Sequence, residues 1–286
     1  MRSVHRLNGT GWYWKLDAMN AAGKVTQATE VSGANTLFHN YDQATGELNW
    51  VEAENGSRLV FDEQYSYDIW GERTERKDLV TGQVQTETYS YTAASRLETA
   101  QTTLAGGGKV TTLTANYDAA GNLASKTDRG GHIGYSYTQS GHPNRLTNLS
   151  VSGANPGITG GGLIYDPAGR ITAGAGYSVQ YDRRGLTQEI QAQGHTATLA
   201  YAPDGHRYQM TVDGETTVYL AGGAFRVVEQ TSGVTAYRQA IIAGGMMVAQ
   251  QVTRSDASSG FEYFYHDGLG SPVAFARSGE FTCFTL

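Results

Sequence analysis

A single cysteine, Cys283, stands in 286 residues, so no internal disulfide can staple the chain, although the compartment is left open by that fact. Charge is sparse and slightly acidic: 21 Lys and Arg against 27 Asp and Glu give a formal net charge of −6. A nucleic-acid binder needs a basic face to displace phosphate counterions, and that class is set aside. No long apolar run is present. The stretch Ala240 to Ala249 is ten residues and is interrupted by Gly244-Gly245, which predicts a hairpin, not a membrane span. The start, Met1-Arg2-Ser3-Val4-His5-Arg6, runs into polar sequence without the apolar core of a signal peptide. Proline is also scarce, at five residues.

Glycine and tyrosine are abundant, at 37 and 18 residues. Glycine at this level without a Gly-X-Y period excludes collagen, and the supply of Tyr, Val, Leu and Ile excludes a disordered tract. Aromatic and β-branched side chains suit a pleated surface, and glycine reaches positive φ without strain. The composition therefore predicts an all-β chain of many short strands joined by glycine turns.

Internal repetition dominates the sequence. Tyr117-Asp118-Ala-Ala-Gly121-Asn122-Leu123 returns as Tyr165-Asp166-Pro167-Ala-Gly169-Arg170-Ile171 and as Tyr181-Asp182-Arg-Arg-Gly185-Leu186. Looser copies stand at Tyr41-Asp42 with Gly46 and at Tyr67-Asp68 with Gly71. Degenerate ones stand at Tyr91 with Arg96-Leu97, Tyr137 with Gly141, and Tyr201 with Asp204-Gly205. The tyrosines fall 16 to 28 residues apart, the spacing of one strand pair with its connections.

Each part of the unit has a physical reading. Apolar residues alternate before the tyrosine, as in Leu113, Ala115, Tyr117 and Tyr177, Val179, Tyr181, which is the period of a strand with unlike faces. An aspartate at the first position of a type I turn accepts a backbone N–H two residues on, and Pro167 pre-sets φ at the next position. The glycine takes the left-handed conformation that closes such a turn with a bulge. A second alternation then begins, as in Leu186, Gln188, Ile190. Each unit is predicted to be a β-hairpin. The segment Tyr91 to Leu104 has helix-like composition but keeps the repeat register, and it is read as a degenerate hairpin too.

The Tyr-Asp-x-x-Gly-Arg/Asn-Leu/Ile unit resembles the YD repeat of RHS proteins. The C-terminal string Tyr265-His266-Asp267-Gly268-Leu269-Gly270-Ser271 resembles the start of the RHS repeat-associated core, with Gly268 where the commonest form has His. The resemblance implies consecutive antiparallel hairpins in a curved or spiralling sheet, part of an RHS-type β-shell. It divides the chain into residues 1–40 without clear repeat, YD repeats over 41–215, and the start of the core over 216–286. It further implies a non-catalytic encapsulating region of a polymorphic-toxin-like protein, secreted or at a bacterial cell surface and associated with toxin delivery and intercellular competition. Its implied partner is a C-terminal core and toxin region, which this sequence does not contain. Around eight hairpins are expected, too few to close a shell. An open sheet would expose long tyrosine-rich edge strands and associate through them. A non-functional gene fragment is an alternative reading.

Other chemistry is less well supported by the residues. Asp42, Asp68, Asp118, Asp166 and Asp182 could pair as catalytic carboxylates, but each occupies the turn position that wants an Asx hydrogen bond. The tyrosines Tyr117, Tyr165 and Tyr181 could form a stripe that recognises cell-surface glycans, although tyrosines at fixed strand positions more often pack against the next repeat. His266-Asp267 has no Ser or Cys nucleophile at a recognisable offset. The remaining histidines lack metal-ligand spacing, and Gly106-Gly107-Gly108 and Gly160-Gly161-Gly162 lack the Lys-Ser/Thr of a phosphate loop. No catalytic residue, cofactor or metal site is expected.

Overall fold

The computed structural model describes residues 3–5, 12–30, 35–79, 85–103, 107–128, 130–153, 158–229, 233–267, 269–277 and 284–285. These residues form one sheet of 26 strands, from Ser3–His5 to Phe284–Thr285. Every strand pairs antiparallel with the strands next to it in sequence; no connection crosses over. The one helical element among the described residues is a 3-10 turn at Ala221–Gly223. The fold is all-β and built of consecutive hairpins, as composition and repeat imply.

The repeat unit sets the local geometry. In the hairpin Lys109–Tyr117/Leu123–Asp128 the register shifts between Asn116 and Tyr117, so one extra residue is absorbed at the end of the strand. The same shift precedes Tyr41, Tyr67, Tyr91, Tyr165, Tyr181 and Tyr201. A bulge at this point increases the local twist and re-aims the tyrosine. The segment from Tyr91 does form a hairpin, Gln85–Tyr91 with Leu97–Thr103, and the apolar stretch around Gly244-Gly245 forms Thr235–Ala243 with Met246–Arg254.

The ladder is longer than the expected eight hairpins. Trp12–Met19 and Val25–Glu30 belong to it, as does every strand from Glu215–Leu220 onward. Their turns lack the full Tyr-Asp signature; at Asn20 to Gly23, for example, an asparagine side chain accepts the N–H groups of Ala22 and Lys24 in place of aspartate. The first and last described strands, Ser3–His5 and Phe284–Thr285, have three and two residues.

Burial is concentrated where the two ends of the ladder meet. Trp14, Ala28, Leu37, Val51, Ala53, Phe61 and Tyr65 from the first strands form one core with Ile241, Val248, Ala249, Tyr263, Tyr265 and Ala274 from the last. Phe61 and Tyr265 stack with centroids 5.2 Å apart and an interplanar angle of 12°, and Tyr13 meets Phe261 at 5.6 Å. The Tyr13 hydroxyl donates to Gln251 Oε1 at 3.2 Å. Between these ends the described strands from Gln85 to Glu229 contribute few buried side chains, among them Thr102, Ala115 and Ile133. That middle depends on ladder hydrogen bonds and cross-strand pairs, whereas the ends depend on hydrophobic burial.

Candidate functional site

The repeated aspartates converge on one use. Asp118 Oδ1 accepts the N–H groups of Ala120 at 2.9 Å and Asn122 at 2.8 Å, and Gly121 N donates to the Asp118 carbonyl at 3.0 Å. Asp166 does the same with Ala168, Arg170 and Gly169, and Asp182 with Arg184, Leu186 and Gly185. Asp42 and Asp68 accept amides of their own turns likewise, and Thr92 Oγ1 stands in at the degenerate copy. The carboxyls of Asp118, Asp166 and Asp182 are held below the usual range. The cause is the Asn122 side-chain amide at Asp118, the Arg170 N–H at Asp166 and the Leu186 N–H at Asp182. A carboxylate committed to two local amides is a turn element and a poor proton donor.

The tyrosines tie each hairpin to the previous one. The hydroxyls of Tyr67, Tyr91, Tyr117, Tyr137, Tyr165 and Tyr181 donate to the carbonyls of Leu48, Arg73, Leu97, Leu123, Leu146 and Ile171, at 2.6–3.0 Å. Each acceptor lies just after the preceding turn. The residue that follows that turn supplies a second contact. Arg96, Arg145 and Arg170 lie over the rings of Tyr117, Tyr165 and Tyr181, at 4.4, 5.0 and 4.5 Å from the centroids, as cation–π pairs. Tyr117, Tyr165 and Tyr181 thus have one ring face and the hydroxyl engaged within the sheet.

This explains the turn glycines twice over. Gly121, Gly169 and Gly185 have φ of 88°, 80° and 84°, and the space where a Cβ would sit is already approached by the guanidinium nitrogens of Arg96, Arg145 and Arg170 at 3.1, 3.3 and 2.7 Å. The arginines were the participants that sequence reading missed. Their signal was present as the residue just before Leu97, Leu146 and Ile171, but its target one hairpin later is visible only in the folded register.

The C-terminal string forms the same turn. Asp267 Oδ1 accepts Leu269 N and Ser271 N, each at 2.9 Å, and Gly270, at φ 81°, donates to the Asp267 carbonyl. His266 takes the place of the tyrosine, Tyr265 beside it is 1% exposed in the core, and Gly268 lies outside the described residues. Arg73 Nη1 lies 3.9 Å from Asp267 Oδ2, joining this turn to the first strands. Burial lowers the His266 imidazole against the opposing pull of Asp267. Burial, then the proximity of His266, pushes His39 down to about 4. With its carboxylate bound to two amides, Asp267 is placed to hold a turn, not to drive a shuttle.

A second polar feature was invisible in sequence. Arg76 bonds to Glu63 through Nε at 2.9 Å and to Glu87 through Nη1 at 3.1 Å, while Tyr65 and Tyr89 donate to the same two carboxylates at 2.5 and 2.6 Å. These residues stand on adjacent strands, and only the pairing register brings them to one face. Both tyrosines are raised, by burial first and then by the carboxylates they bond. Glu30 is fully buried, and burial lifts its carboxyl to about 8 against the opposing pull of the Asn35 side chain. No group of three His, Cys, Asp or Glu able to hold a metal occurs among the described residues. No helix among them is long and apolar enough to cross a membrane.

These features define an antiparallel hairpin-repeat sheet whose repeated polar residues serve the framework. No family model and no curated protein matches the chain. It is similar to solved structures of Tc toxins containing TccC3, an RHS/YD-repeat protein. The Tc holotoxin pore of Photorhabdus luminescens, with a TccC3 variant, is 13% identical with a TM-score of 0.45, covering 93% of this chain and 17% of that chain. The crystal structure of TcdB2-TccC3-Cdc42 is 16% identical with a TM-score of 0.43, covering 95% and 17%. The chain therefore spans 17% of the length of the matched chain in each of these structures.

Proposed function

We propose that this chain is a non-catalytic wall segment of an RHS/YD-repeat, toxin-associated protein that acts outside the cell, where its sheet helps to enclose another polypeptide. The observation that carries this reading is the commitment of the repeat to self-assembly. The Asx turn, the tyrosine hydroxyl and the stacked guanidinium recur along the ladder, and each joins one hairpin to itself or to its neighbour. A sheet held in this way extends by repetition without a central core, as a wall must. The division into YD repeats over 41–215 and the start of a core over 216–286 belongs to the same proposal. So does the role of the string Tyr265 to Ser271 as the beginning of that core.

Protease protection in native extracts tests it. After crosslinking, the chain is expected in a complex with a second polypeptide that resists digestion until the sheet is denatured. A companion cut at the rate of naked polypeptide, or a chain recovered without any companion, overturns encapsulation.

A further inference from the structure

The tyrosine-to-carbonyl bonds occur at every full or degenerate copy from Tyr67 to Tyr181 and then cease. Tyr201 and Tyr219 make no such bond among the described residues, and both line an open cleft of about 510 Å³ with His206, Arg207, Arg226 and Met247. Gly222 and Gly223, at φ 66° and 91°, form another part of its wall. The cleft therefore gathers two guanidinium groups, an imidazole and two phenols, and no carboxylate lines it. The chain as a whole is acidic, so this is a local reversal of sign.

Neither arginine is neutralised by a carboxylate within salt-bridge distance among the described residues. Arg207 lies over the Tyr219 ring at 4.6 Å, and its one hydrogen-bond contact is the sulfur of Met210 at 3.8 Å. Arg226 donates to the neutral Gln250 Oε1 at 2.9 Å and stands directly opposite Arg238 across the strand pair. Arg238 is different: Glu262 lies 3.3 Å from it. Asp204, near the cleft, pairs with His206 at 3.3 Å. Like charges placed opposite each other on paired strands are unfavourable, and an anion seated at Arg226 relieves that cost. A group that accepts from planar guanidinium forks and phenol hydroxyls together is an oxyanion.

We infer that the Tyr201–Arg207–Tyr219–Arg226 cleft is a binding site for an oxyanion of the phosphate or sulfate type, either free or carried on a saccharide. The inference is independent of the encapsulating role, since a wall with or without cargo presents the same cleft. Calorimetric titration of the full chain with inorganic phosphate, inorganic sulfate, glucose 6-phosphate and glucose tests it.

Binding of at least one oxyanion is expected, with about tenfold or greater weakening in Arg207→Ala and less than about twofold change in the remote control Arg254→Ala. Arg207 is exposed, so its variant keeps the fold, and circular dichroism verifies this. Equal binding of phosphate and glucose 6-phosphate identifies a free-oxyanion site; much tighter binding of the sugar phosphate identifies a phosphosugar-type ligand. Three results overturn the inference: no binding of any oxyanion up to about 10 mM, binding of glucose as tight as its phosphate, or equal losses in both variants.

Discussion

The hydroxyl bonds between hairpins give the most direct test of the framework. Replacing Tyr117, Tyr165 and Tyr181 together by Phe removes three O–H···O=C bonds, of 2.9, 2.6 and 2.8 Å, and keeps every ring and its guanidinium contact. A neutral hydrogen bond of this kind contributes about 1 kcal/mol net. The three sites lie on separate hairpins, so the loss is about 3 kcal/mol in sum. An unfolding entropy of about 2 cal/mol/K per residue makes that a fall of roughly 5 °C in Tm if the ladder melts as one unit. Melting in segments lowers the entropy of each transition and enlarges the shift, so 5 °C is the smaller of the two outcomes. Differential scanning calorimetry measures it. Tyr201→Phe is the internal control, because its hydroxyl makes no comparable bond among the described residues. A triple variant within about 1 °C of the parent, or a control that falls as far per residue, refutes the proposed role of these hydroxyls.

Three further outcomes follow from particular contacts. Gly174→Ala is expected to destabilise by more than about 2 kcal/mol, because its Cβ would lie 2.0 Å from the Gly162 carbonyl oxygen at φ 127°; Gly205→Ala, with nothing within 4 Å at φ 86°, should cost only about 1 kcal/mol in a denaturant titration. Phe61→Ala should cost about 3–5 kcal/mol and leave the last strands protease-sensitive before the middle ones, since it removes the ring that stacks on Tyr265. Glu30, raised to about 8 in the fold from about 4.5 unfolded, binds more protons folded than unfolded. Stability should therefore fall between those two pH values as pH rises, and Glu30→Gln should abolish that part of the slope in urea melts taken across the range.

Much of this architecture was legible because the repeat is local. Tyr117-Asp118-x-x-Gly121 contains its own strand end, cap and left-handed residue, so a hairpin could be read from a few adjacent letters. The reading was weaker where the turn changed chemistry. At Asn20 to Gly23, between Trp12–Met19 and Val25–Glu30, an asparagine replaces the aspartate and no tyrosine precedes it. Contacts between hairpins were the least visible. Arg170 reads as an ordinary surface residue until the register sets it over Tyr181, and the cluster of Glu63, Arg76 and Glu87 exists only once three strands are aligned. The cleft at Arg207 and Arg226 had no motif of its own beyond the degenerate copy at Tyr201, because its members come from five strands and the turns between them.

The order of the ladder also fixes a timetable. Each strand finds its partners immediately before and after it in the chain, so hairpins can form one after another as the polypeptide leaves the ribosome, with little loop entropy to overcome. The packing of Phe61 on Tyr265 is of another kind, since its members are separated by 204 positions (265 − 61) and cannot meet until Tyr265 has been made. Until then Trp14, Phe61 and Tyr65 present an uncovered apolar surface. Synthesis of the last hairpins is thus the step that conceals it, and a ribosome stalled before Tyr265 would hold a chain that is folded along its length yet still adhesive at its beginning.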